Sequence, residues 1–170
     1  MVKTLGIWMN GIRVGCWQVR NGRHSLIYAR EWLESPLARP LSLSLPMSYG
    51  GKPLLNNAVE RYFDNLLPDD NRLRRGIQVR FQTESCEAFD LLEAVGRDCV
   101  GAVQLLLDDE DPGDSTLIRG QSLSEADVAA RIRGIGGGFW EEGGFADEDY
   151  RFSLAGAQGK IALLKHDGHW

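Results

Sequence analysis

Residues 4–19 read TLGIWMNGIRVGCWQV, and the two residues at the middle of that run decide the fold. Apolar and other side chains alternate on both sides of Asn10-Gly11. An Asn-Gly pair between two alternating runs marks a hairpin, because both central positions of a two-residue type I′ turn need positive φ. Counting outward from the turn sets Met9 against Ile12, Ile7 against Val14 and Leu5 against Cys16 on the core face, with Trp8 opposite Arg13 on the other. Asn21-Gly22 offers a second turn into RHSLIYA, so the spacing predicts a three-stranded meander. REWLE then makes a short helical turn that stops before Pro36.

Residues 36–53, PLARPLSLSLPMSYGGKP, hold no helical period and read as loop with an extended segment inside. From Asn56 the pattern changes. Val59, Tyr62, Phe63 and Leu66 recur at helical spacing, Asn56 or Asn57 serves as N-cap, and Pro68 forces the end. Asp69 and Asp70 can cap a second helix, in which Leu73 and Ile77 share a face and Arg72, Arg74, Arg75 and Arg80 supply polar cover. That arginine face is either solvated or a surface for an acidic partner. A third helix runs through ESCEAFDLLEAVG, burying Phe89, Leu92 and Val95 or its neighbours, with Gly96 placed for a left-handed C-cap. VGAVQLLL returns as a buried strand.

The acidic run DDEDPGD, residues 108–114, lacks the glycine and distal glutamate of an EF-hand loop and reads as a solvated turn. SLSEADVAARIRG opens a fourth helix on a capping box from Ser122 to Glu125 and ends it at Gly134. From Gly134 to Tyr150 six glycines and five acids leave too little apolar surface to cover the backbone, so the stretch reads as a mobile linker at a subdomain boundary.

With 170 residues, 43% of them hydrophobic and 25% charged, the chain can bury a core as one large or two small domains. A formal net charge of -5 gives no general grip on nucleic acid, which needs lysine and arginine in excess. Cys16, Cys86 and Cys99 are odd in number and set in apolar contexts, so they read as reduced core thiols of a cytoplasmic protein. MVKTLGIWMNG is no signal peptide, and no run approaches the ~18 apolar residues of a membrane span.

Glycine near lysine invites a phosphate-loop reading, which spacing tests. Counting back from Gly159-Lys160 puts Leu154 where a Walker loop needs glycine, and Ile161 follows where it needs Ser or Thr. Gly134-Ile135-Gly136 follows a helix, not a strand, and Phe139 occupies the last glycine position of a dinucleotide fingerprint. SLAGAQGKIALL has a different logic. Its small residues Ala155, Gly156 and Ala157 would let backbone amides approach an anion between two strands, though a plain tight turn fits the same letters. His166 and His169 could form a metal pair, but so near the end of the chain they are expected to be exposed and idle.

Five segments, in order, resemble the HipA family of bacterial toxin kinases: WMNGIRVGCW, ARPLSLSLPM, RYFDNLLPDDNR, GRDCVGAVQLL and FSLAGAQGKIALL. The resemblance implies an α+β fold, with an N-terminal β-meander sheet packed with helices, followed by the start of a kinase-like N-lobe with a glycine-rich loop. It divides the chain into an N-terminal subdomain (1–107), an acidic turn, helix and Gly-rich linker (108–150), and an incomplete N-lobe (151–170). It implies a type II toxin-antitoxin serine/threonine kinase that phosphorylates an aminoacyl-tRNA synthetase, halts translation and promotes persistence. Its partners would be a HipB-like helix-turn-helix antitoxin and, through that complex, operator DNA.

Carried over residue by residue, the resemblance makes Ser153 a self-phosphorylation site and Ala155, Gly156, Ala157, Gln158, Gly159 and Lys160 the nucleotide-binding loop. Gly159 departs from the family, where a polar residue is common. The family's base, metal ligands and ATP-orienting lysine lie beyond Trp170, and Lys165 is too close to the loop to replace that lysine. ATP and Mg2+ are therefore expected in the intact parent kinase, with no tight binding and no activity in this stretch alone. A free-standing inhibitor built like the family's N-terminal subdomain is the competing reading.

Overall fold

The computed structural model describes residues 2–47, 51–99, 101–114, 117, 121–136 and 163–170. Strands β1 (Val2–Met9), β2 (Ile12–Arg20) and β3 (Arg23–Tyr28) form the meander, and β4 (Val103–Leu106) returns from far along the chain to pair with β1. The sheet order is β3-β2-β1-β4, with every pairing antiparallel. Helices α1 (Arg30–Leu33), α2 (Asn57–Asp64), α3 (Asn71–Phe81) and α4 (Ala88–Val95) lie between β3 and β4, and α5 (Glu125–Gly136) follows. This is the α+β class that the sequence implies.

Both hairpin turns have the expected geometry, with φ of 51° and 77° at Asn10 and Gly11, and 50° and 71° at Asn21 and Gly22. The register beyond the first turn differs from the simple count. Met9 pairs with Ile12 and Trp8 with Arg13, but Ile7 then pairs with Gly15 and Leu5 with Trp17. Val14 is the extra residue of a β-bulge. A one-residue slip exchanges the two faces of a strand, so the bulge turns Trp17 inward where Cys16 was expected. Trp17 and Val14 are both fully buried, while Cys16 is only half-buried. Burying an indole removes far more apolar surface from water than burying a thiol, which favours the bulged frame.

Cross-strand partners Leu5, Trp17 and Leu26 form a row on one face of the sheet, and Ile7 with Leu105 extends it to β4. The helices close over this row. Trp17 lies nearly parallel to Phe63 of α2, centroids 4.0 Å apart at 12°, and is tilted 54° against Phe89 of α4 at 4.8 Å. Helices α2 and α3 begin where the sequence signals them, whereas α4 begins at Ala88, inside the stretch read as helix from Glu84. Asn56 accepts the Val59 amide at 3.2 Å to cap α2, and Asp70 accepts the Arg72 amide at 2.7 Å to cap α3. Leu73 and Ile77 are the buried residues of α3.

Two caps differ from the sequence reading. Gly96 is right-handed, φ -71°, and leads into a 3-10 turn, Gly96–Asp98. Its glycine is required by proximity instead of by handedness, since an added Cβ would come 2.7 Å from the Leu105 Cβ. The capping box of α5 is formed by Ser124 and Asp127, not Ser122 and Glu125: each residue's amide donates to the other's side chain, at 2.9 and 3.2 Å. The helix continues through Gly136, beyond the expected stop at Gly134.

Candidate functional site

The segments that carry the family resemblance sit at the corners of this fold. The serine-leucine stretch makes a tight turn in which Ser42 and Leu45 form an isolated bridge and the Leu45 amide donates to the Ser42 carbonyl at 2.9 Å. The Tyr28 hydroxyl, at the end of β3, donates to the Leu45 carbonyl at 2.6 Å and accepts the Leu41 amide at 3.0 Å. Burial pushes the Tyr28 phenol above its usual range. The Trp32 indole of α1 donates to the Arg39 carbonyl at 3.1 Å. Two buried aromatics thus hold both sides of a turn whose tip, Leu43, is 97% exposed. Tyr28→Phe strands a carbonyl and an amide at once, so it is expected to cost about 2 kcal/mol by urea unfolding.

The RYFDNLLPDDNR corner is fixed by Arg74. Its guanidinium donates to the Asp64 carboxylate at 2.6 Å and to the Pro68 carbonyl at 2.7 Å, joining the start of α3 to the end of α2. Arg74 is only 13% exposed, so it is not part of an arginine surface, whereas Arg72 is 84% exposed. The acidic turn is likewise tied to the body. Asp108 pairs with Arg13 at 2.8 Å, and Glu110 pairs with Arg97 at 3.2 Å while accepting the Leu107 amide.

A polar network joins β1 to the start of α4. Lys3 donates to Asp90 at 2.8 Å and to Glu84, and the Ser85 hydroxyl donates to the other Asp90 oxygen at 2.6 Å. Burial alone would raise the Asp90 carboxyl; the hydrogen bonds from Lys3 and Ser85 outweigh it and hold the group below its usual range. The bonds to Asp90 and Glu84 hold the Lys3 ammonium well above its usual range. A depressed carboxyl stabilises the fold above its unfolded pKa, about 3.9, and loses that contribution as pH falls through the folded value. Asp90→Asn should therefore cost about 1–2 kcal/mol at pH 7, discounted for the partial exposure of Lys3, with the gap to the native protein closing below about pH 4. Urea unfolding across that pH range checks it.

Cys16, Cys86 and Cys99 are free thiols. Burial pushes Cys99 up to about 12, and its thiol donates to the Gly96 carbonyl at 3.2 Å, which makes it a packing residue and no nucleophile. His166 and His169 exchange backbone hydrogen bonds at 2.9 Å across an Asp167-Gly168 turn and are exposed. Among the described residues no group of three or more His, Cys, Asp or Glu could hold a metal ion, and no helix is long and apolar enough to cross a membrane. Ser153, the loop from Ala155 to Lys160 and the linker from residue 137 to Tyr150 lie outside the described residues. Sequence reasoning missed the Tyr28 clamp, the Arg74 corner and the Lys3 network, because each joins residues ten or more positions apart with no local pattern to announce it.

A four-stranded antiparallel sheet with helices bridging β3 and β4, pinned at its corners by such clamps, defines an α+β domain. The chain belongs to the HipA N-terminal domain family, which it matches over residues 5–106. It is 31% identical over 168 residues to the protein named "Putative kinase Y4mE" of Sinorhizobium fredii, covering 98% of this chain and 39% of that protein. It is 30% identical over 157 residues to "Putative kinase Y4dM" of the same organism, covering 88% of this chain and 32% of that one. Among solved structures it matches the Shewanella oneidensis MR-1 toxin-antitoxin system HipA, HipB and operator DNA complex. The TM-score is 0.58 at 21% identity, over 76% of this chain and 29% of that chain, a likeness of fold. The chain spans about two-fifths or less of the curated relatives it matches.

Proposed function

We infer that this chain is the N-terminal region of a HipA-type serine/threonine kinase toxin. The single observation that supports this most is the similarity to Y4mE over 168 residues, which continues past the HipA N-terminal domain match at residue 106 into the stretch holding FSLAGAQGK. On this reading residues 1–107 are a scaffold subdomain, 108–150 connect it, and 151–170 begin an ATP-binding lobe. The amides from Ala155 to Lys160 would receive the nucleotide phosphates, and Ser153 at the entrance to the loop would be the modified residue. ATP with Mg2+ is the cofactor of the intact kinase. A HipB-like antitoxin bound to operator DNA is its partner, in keeping with the HipA, HipB and operator DNA of the Shewanella complex, and a translation factor such as an aminoacyl-tRNA synthetase is its substrate.

Phosphoryl transfer needs a base and metal ligands that no motif in these 170 residues supplies. Incubated with labelled ATP and magnesium, this chain alone is expected to stay unlabelled, while a polypeptide extended by a kinase C-lobe incorporates phosphate. Reading the gene beyond codon 170 separates the alternatives. An open frame encoding that lobe supports the kinase, whereas a stop followed by a separate short kinase gene supports the free-standing inhibitor.

A further inference from the structure

His166 and His169 stand on either side of the Asp167-Gly168 turn, whose central residues have φ of 47° and 80°. Each histidine amide donates to the other's carbonyl at 2.9 Å, so the two form a hydrogen-bonded cross-strand pair. Side chains of such a pair lie on the same face, with Cβ atoms about 4.5–5.5 Å apart. Both imidazoles are exposed, so a ligand reaches them without disturbing the core. Lys165 and Trp170, the next residues outward, meet on the opposite face as strand alternation requires, with the ammonium 5.2 Å from the ring centroid. That lysine charge is thereby held away from the imidazoles. The charged group that approaches them is an anion, the Asp167 carboxylate, 3.3 Å from His166 Nε2.

We propose that His166 and His169 together chelate a divalent transition-metal ion across this turn. Imidazole nitrogen binds Zn2+ at about 2.0–2.1 Å and also suits Cu2+ and Ni2+. Two such bonds to one ion put the nitrogens about 3 Å apart, a span that rings rooted on neighbouring Cβ atoms cover. A carboxylate beside one ring nitrogen is the partner that commonly orients a ligating histidine, and here it leaves Nδ1 of His166 for the metal. Water completes the coordination shell, so the ion exchanges with solvent and is no structural centre. Mg2+ and Ca2+ take oxygen ligands and should not compete. The third histidine of the chain, His24, is 15% exposed and already accepts the Trp17 indole N–H at 3.2 Å, so the pair at the turn has no rival among the histidines. Neither His166 nor His169 belongs to the nucleotide loop, and the site stands apart from the kinase reading.

Calorimetric titration of Ni2+ and of Zn2+ into this chain, free of any histidine tag and in excess Mg2+, tests the proposal. One ion should bind per chain. His166→Ala and His169→Ala should each weaken it at least about tenfold, because the second ligand of a chelate acts at high effective concentration. Gly168→Val keeps both imidazoles but cannot hold φ near 80°, so it should weaken the ion about as much as losing a histidine. All three positions are exposed, so the substitutions leave the core intact. With Zn2+ bound, the His166 and His169 amides that close the turn should exchange with solvent about tenfold more slowly. Absence of binding up to millimolar metal, or an affinity unchanged in either histidine variant, overturns the proposal. An affinity unchanged in Gly168→Val, or amide exchange unaltered by Zn2+, overturns it too, since the ion would then sit on imidazoles that the turn does not pair.

Discussion

Trp17→Ala is expected to cost about 3–5 kcal/mol, the range for emptying a fully buried aromatic site. The indole has no exposure, is sandwiched by Phe63 and Phe89, and stands opposite Leu5 and Leu26 in the row that crosses the sheet. No neighbour can collapse into the space, because two strands and two helices frame it. Domains of this size have roughly 5–15 kcal/mol in hand, so the variant should be partly unfolded at physiological temperature. Urea unfolding followed by far-ultraviolet circular dichroism should show a large drop in midpoint with little change in slope. A loss below about 1 kcal/mol would mean that Trp17 is not inward and that the strand follows the unbulged register.

Gly15→Ala should be nearly as damaging, though it adds only a methyl group. The new Cβ would lie 2.1 Å from the Ile27 carbonyl oxygen and 3.0 Å from the Tyr28 Cα, both backbone atoms of the adjacent strand. Neither can rotate away, so β2 and β3 must separate where their ladder is continuous. Overpacking a core commonly costs about 1–3 kcal/mol, and a backbone obstacle puts this substitution at or above the upper end. Gly22→Ala is the control. It meets nothing within 4 Å and pays only for its φ of +71°, about 1–2 kcal/mol. A Gly15→Ala cost no larger than that of Gly22→Ala would remove the case for close strand approach at the bulge.

These two residues also show where the sequence is legible. The turns at Asn10-Gly11 and Asn21-Gly22, the caps at Asn56 and Asp70, and the buried pair Leu73 and Ile77 are local patterns, and local patterns survive folding unchanged. The bulge is not local. The alternation around Val14-Gly15-Cys16-Trp17 permits two frames, and the choice falls to helices α2 and α4, which supply Phe63 and Phe89 from 46 and 72 positions further on. Gly96 illustrates a second limit, since a glycine at a helix end can answer either a left-handed φ or a close neighbour, and Leu105 decides for the neighbour. At α5 two Ser-x-x-acid frames overlap, and the sequence does not rank them.

The candidate site divides the same way. Tyr28, Arg74 and Lys3 act through partners that no spacing rule connects. Ser153 and the loop from Ala155 to Lys160 lie outside the described residues, and their proposed role rests on the ordered resemblance, because the letters alone also describe a tight turn.

The proposed function assigns ATP to that loop, and calorimetric titration of ATP with Mg2+ into the full-length protein, unmodified and phosphorylated at Ser153, tests it most directly. A phosphate on Ser153 adds about -1.5 to -2 charge near neutral pH. At ~4 Å a pair of unit charges repels by roughly 4 kcal/mol at an effective dielectric of 20, and solvent screening reduces that. The account predicts ATP binding to the unmodified protein and to Ser153→Ala, and at least about tenfold weaker binding after phosphorylation. Equal affinities for the modified and unmodified forms, or no ATP binding by the unmodified form, would contradict it.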